Sequence, residues 1–131
     1  MPASRPRPLV VVIENDSRLA DAVGLLLHDW GFAAVLAKSA GTAARILGVR
    51  IKDVSAVIAD YHLDDGFTGI GSAAALGTAI GRSVPTIVTT GFPVLAEHRN
   101  VFPVLAKPFD PGLLHRWLED HVDRRPATAA A

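Results

Sequence analysis

The sequence predicts an α/β fold built on a parallel sheet. Short apolar runs rich in β-branched residues recur five times along the chain. Helix-length segments, with apolar residues three and four apart, separate them. Strands that alternate with helices in this way pair in parallel, with the helices on the sheet faces. The chain has 131 residues, the length of one domain, and holds no cysteine. It can bury its own core, and a disulfide framework, a thiolate nucleophile and a cysteine-bound metal are excluded.

Each element has its own signal. Leu9 to Ile13 (LVVVI) is a continuous apolar run, as in a strand buried on both faces. Asp16 and Ser17 can cap a helix whose apolar positions are Leu19, Val23, Leu26, Leu27 and Trp30, and Gly31 suits its end. Phe32 to Ala37 is a second strand, and Ser39 to Leu47 a second helix closed by Gly48. Ala56 to Ala59 lies in a third strand that stops at Asp60. Gly69 to Ile80 is a third helix, rich in Ala and Gly. Thr86 to Thr89 follows Pro85 as a fourth strand, and Val94 to His98 is a short helix. Val101 to Ala106 is a fifth strand interrupted by Pro103. Asp110 and Pro111 then open a last helix along Leu113, Leu114, Trp117, Leu118 and Val122. The folded body is expected to span residues 9–122, with residues 1–8 and 123–131 as solvated tails.

Composition closes further doors. Thirteen basic residues balance thirteen acidic ones, so no basic nucleic-acid footprint is expected. No apolar run reaches the roughly 18 residues of a membrane span, and the start does not read as a signal peptide, so a cytoplasmic location is expected. Gly69-Ile-Gly71-Ser-Ala-Ala74 fits a dinucleotide pattern by letters only. It does not follow a strand directly, and no acid stands about 20 residues on. The five histidines form no zinc pair with a nearby carboxylate.

Ligands of open α/β sheets bind beyond the carboxyl ends of the strands. Glu14-Asn15-Asp16 follows the first strand, Asp60-Tyr61-His62-Leu63-Asp64-Asp65-Gly66 the third, Thr90-Gly91 the fourth and Lys107-Pro108-Phe109 the fifth. Five of the 13 acids and one of three lysines therefore gather on one rim. Oxygen ligands, a carboxylate, a hydroxyl and an ammonium suit a hard divalent cation and a phosphoryl group. A carboxylate such as Asp60 can attack phosphorus to form an aspartyl phosphate. Acids after strands also serve as caps and turn formers, and that is the simpler reading of Asp16, Asp64 and Asp65. Asp60 differs, because a carboxylate ending an apolar strand has no evident structural use.

The set Glu14-Asn15-Asp16, Asp60, Thr90-Gly91 and Lys107-Pro108-Phe109 resembles the receiver domain of two-component response regulators. The resemblance covers about residues 8–122. The segments LLLHDWGF and IADYHLDDGFTG look most like receivers of hybrid histidine kinases, or their stand-alone relatives. It implies a flavodoxin-like doubly wound sheet of strand order 2-1-3-4-5. It also implies that Asp60 accepts a phosphoryl group from a histidine kinase or histidine phosphotransfer protein. Mg²⁺ would be held by Glu14, Asn15, Asp60 and the backbone carbonyl of His62. Thr90 and Lys107 would contact the phosphoryl oxygens, with the lysine aimed by a cis peptide to Pro108. The chain would catalyse only its own phosphorylation and dephosphorylation, and signal through an unidentified downstream protein. No output segment is expected after the last helix, so the output is expected to come from that partner, or from a larger protein if this chain is a piece of one.

Three departures qualify the resemblance. Asn15 stands where most receivers carry a metal-binding aspartate, which predicts weaker Mg²⁺ binding. Val104, three before the lysine, replaces a common switch aromatic. Lys107 comes only 17 positions after Thr90, so the intervening helix is expected to be shortened or irregular and any dimer non-standard. His62, Gly91 and Phe92 stand where they would tune hydrolysis, and the Phe92 ring predicts a slowly hydrolysed phosphoryl state. Two other readings compete: a pseudo-receiver that binds partners without phosphorylation, and a Mg²⁺-dependent phosphohydrolase. The hydrolase reading lacks a cap insertion and a second acid placed as general acid.

Overall fold

The computed structural model describes residues 7–62, 69–91 and 102–123. Five strands form one parallel sheet: β1 (Leu9–Ile13), β2 (Ala33–Ala37), β3 (Val54–Asp60), β4 (Thr86–Thr90) and β5 (Val104–Ala106), ordered β2-β1-β3-β4-β5. Four helices accompany it among the described residues: α1 (Ser17–Asp29), α2 (Ala40–Leu47), α3 (Gly69–Ile80) and α4 (Pro111–His121).

Strand alternation divides the core in two. Leu9, Val11 and Ile13 of β1 pack with Val57 and Ala59 of β3 against residues of α2 and α3. Val10 and Val12 pack with Ala56, Ile58 and Ile87 against Val23 and Leu27 of α1 and Leu114 and Leu118 of α4. All five residues of β1 are buried, as its unbroken apolar run requires. Both faces of the sheet are therefore covered by helices. No helix among the described residues is long and apolar enough to cross a membrane.

The helix ends follow capping chemistry. The Asp16 carboxylate accepts from the Arg18 and Leu19 N–H groups, and the Asp110 carboxylate from Gly112 N–H at 2.8 Å. The Ser39 hydroxyl caps α2 by accepting from Thr42 N–H at 3.1 Å. Gly24 lets α1 approach β2, since a Cβ there would meet Leu36 at 3.2 Å.

Several boundaries differ from the sequence reading. Phe32 stays out of β2 because its N–H closes the end of α1 on the Leu27 carbonyl. A 3-10 turn over Gly48–Asp53, unforeseen in the sequence, leads into β3, which starts at Val54. Within the described residues β5 is only three long, beginning after Pro103, which has no N–H to give. Arg7 and Pro8 are not free of the body: Arg7 Nη1 donates to the His28 carbonyl at 2.9 Å, and the Pro8 carbonyl accepts from Ala33 N–H. The helix expected over Val94 to His98, and Phe92, Asp64, Asp65 and Val101, lie outside the described residues.

Candidate functional site at the carboxyl rim of the sheet

Glu14 is the first residue beyond β1, and alternation places it on the Val10–Val12 face. Asp60 ends β3 on the face of Ala56 and Ile58, which is the same one. β1 and β3 are neighbours, so the two carboxylates come together. They are buried, at 5% and 6% exposure. Lys107, the first residue after β5, reaches back across the sheet to both. Its Nζ stands 2.8 Å from Glu14 Oε1 and 3.4 Å from Asp60 Oδ1.

The backbone fixes this arrangement. Lys107 N–H donates to the Thr90 carbonyl at 2.7 Å, and the Lys107–Pro108 peptide is cis. Glu14 N–H donates to the Ala37 carbonyl at 2.9 Å. Glu14 Oε2 accepts from Asp16 N–H at 3.1 Å, and Asp60 Oδ1 accepts from His62 N–H at 3.3 Å.

Two carboxylates share one ammonium, and the electrostatics follow. Burial pushes the Glu14 carboxyl above its ordinary value, and contact with Asp60 adds to this; Lys107 and the Asp16 N–H oppose it without cancelling it. Burial also disfavours the Lys107 charge. The hydrogen bond and charge of Glu14, then the charge of Asp60, outweigh it and hold the lysine above its usual 10.5. The cluster is short of positive charge.

Other residues singled out in the sequence fall around this cluster. Asn15 is half-buried beside Glu14, and Gly91 is exposed after β4. The exposed His62 sets its ring edge-on to Tyr61, with centroids 4.9 Å apart. Asp60 is in register with Thr89, so Thr89 takes the Asp60 face and Thr90 the opposite one. Thr90 is buried on that side with Val88, which packs against Tyr61 and Phe102. Val104, the register partner of Val88, is 37% exposed. The sequence reading gave Tyr61 no role and set Thr89 aside as core-facing in favour of Thr90; Tyr61 is buried, and Thr89 is buried but lines a cavity under the carboxylates. Letters alone did not single out Thr89, since Thr86, Thr89 and Thr90 are all buried hydroxyls of β4.

The donors shown together here are the Glu14 and Asp60 carboxylates, hard oxygens that suit a hard cation rather than a soft one. Among the described residues no three His, Cys, Asp or Glu side chains converge as a metal cage. Two carboxylates could serve a Mg²⁺ ion, which needs only one or two and keeps several waters.

No family model and no curated relative matches the chain. Solved structures do. The signal receiver domain of an HD domain-containing protein from Pseudomonas fluorescens superposes with a TM-score of 0.75 at 25% identity, covering 88% of this chain and 94% of that one. This chain has the receiver fold of response regulators. A receiver domain from Methylobacillus flagellatus gives 0.74 at 23% identity, over 87% of this chain and 98% of that one. The signal receiver domain of a modulated diguanylate cyclase from Desulfovibrio desulfuricans gives 0.73 at 22%, over 88% and 93%. The shared fold is the flavodoxin-like one, and it supports a two-component signalling role.

Proposed function

We propose that the chain is a phosphoacceptor receiver, phosphorylated on Asp60 by a phosphohistidine of a kinase or phosphotransfer protein. The observation that carries this is the Glu14–Lys107–Asp60 cluster, where two buried carboxylates share one ammonium at the rim of the sheet. A carboxylate held at a strand end, with a cation beside it, is a nucleophile prepared for an anionic electrophile.

In the proposed step an Asp60 oxygen attacks phosphorus while the phosphorus–nitrogen bond of the donor breaks. The histidine nitrogen takes the electron pair, and an acyl phosphate forms on Asp60. Lys107 balances charge on the phosphoryl oxygens. Thr90 takes the face opposite Asp60, so in this reading it would reach those oxygens over the rim at the end of β4, with the N–H after it. Bound Mg²⁺, held by Glu14, Asp60, Asn15 and the His62 carbonyl, would supply further charge neutralisation. With Asn15 in place of an acid, the protein contributes one negative charge fewer to that ion.

Incubation with acetyl phosphate and Mg²⁺ tests the reading. It predicts a gain of about 80 Da on Asp60, the mass of one phosphoryl group, and none in Asp60→Ala. Absence of the adduct favours a binding module without phosphorylation. Rapid release of phosphate with steady turnover favours a hydrolase.

A further inference from the structure

Thr89 is a buried hydroxyl that the proposed step does not use. It is 4% exposed in β4 and in register with Asp60, and two residues earlier Ile87 pairs with Ile58 in the α1–α4 core. Alternation therefore aims it into the face that carries the carboxylate. A cavity of about 10 Å³ lies there, walled by apolar residues such as Val12, Ile58 and Phe109. Its polar lining comes from Glu14, Asp60 and Thr89.

Valine has the same shape and the same β-branching, and would fill this position with no hydroxyl to desolvate. The Thr89 hydroxyl faces this cavity, and the other polar side chains lining the same cavity are the two carboxylates. The cavity is about the size of one water, and three polar groups are what a buried water requires. We propose that Thr89 is a positioning residue for Asp60: through one bridging water its hydroxyl holds the inner side of the carboxylate. Lys107 and the His62 N–H hold Oδ1 from above. With both sides fixed, the outer oxygen meets phosphorus without first reorienting. The inference rests on Asp60 being the phosphoacceptor.

The test is phosphorylation by acetyl phosphate with Mg²⁺, followed by intact mass across donor concentrations. Wild type, Thr89→Val, Thr89→Ser and Asp60→Ala are compared. Thr89→Val is expected to lower the maximal rate about tenfold, the scale of one hydrogen bond to a charged group, with the half-saturating donor concentration unchanged. Thr89→Ser is expected to restore the rate to within about twofold, since it keeps the hydroxyl. Thr89→Val should melt no lower than wild type, so that slow reaction is not loss of fold. If wild type gains no phosphoryl group on Asp60, the phosphoacceptor reading fails and this inference with it. If wild type reacts but Thr89→Val keeps its rate, or Thr89→Ser is as slow as Thr89→Val, the inference is overturned and the reading stands.

Discussion

Replacing Lys107 with methionine keeps most of the side-chain length and removes the cation that Glu14 and Asp60 share. The carboxylates stay where β1 and β3 put them, buried and in contact. Stripping a partner from a fully buried ion pair costs roughly 3–5 kcal/mol. The Lys107 side chain is 22% exposed, so solvent screens part of this, and about 2 kcal/mol is expected at pH 8. The sign of the pH dependence follows from Glu14. Its folded pKa lies above 4.5, so the stability gained by binding its proton is present below that value and lost as pH rises through the folded pKa. Removing Lys107 raises the folded pKa further. Each pH unit over which the folded variant holds one more proton than the unfolded chain is worth about 1.4 kcal/mol. The cost should therefore fall below about 1 kcal/mol near pH 5. Urea unfolding of both proteins at pH 5 and pH 8, without divalent cations, measures it. An equal cost at the two pH values would refute the shared-ammonium account.

Three further outcomes are expected. Leu118→Ala empties a fully buried position between α4 and the sheet, and should cost about 2–5 kcal/mol in urea unfolding. Asp110→Ala removes the cap that accepts from Gly112 N–H, and should lower stability by about 1 kcal/mol without altering Glu14 or Lys107 chemical shifts. Asn15→Asp adds a negative charge beside Glu14, and should tighten Mg²⁺ binding in a calorimetric titration; unchanged affinity would remove Asn15 from the proposed cation site.

The cluster was legible because its members break the pattern around them. Glu14, Asp60 and Lys107 each follow an apolar run at once, and a charge there is conspicuous. The fold was legible from the same runs, since a strand as apolar as LVVVI needs cover on both faces. What letters could not carry was register. Thr89 and Thr90 are adjacent and alike, and only pairing with Asp60 assigns them to opposite faces. The turn over Gly48–Asp53 was hidden because its apolar residues, Val49 and Ile51, follow no helix or strand period. Nor does any local signal reveal that Arg7 reaches the end of α1, a contact spanning 21 positions in sequence.

The central claim is that Asp60 is the nucleophile of this chain. Wild-type chain incubated with acetyl phosphate and Mg²⁺, digested and sequenced by mass, tests it most directly. The account predicts about 80 Da on the peptide containing Asp60, the mass of one phosphoryl group, and an unmodified peptide in Asp60→Ala. An adduct on another residue, or none on the folded protein, would contradict it.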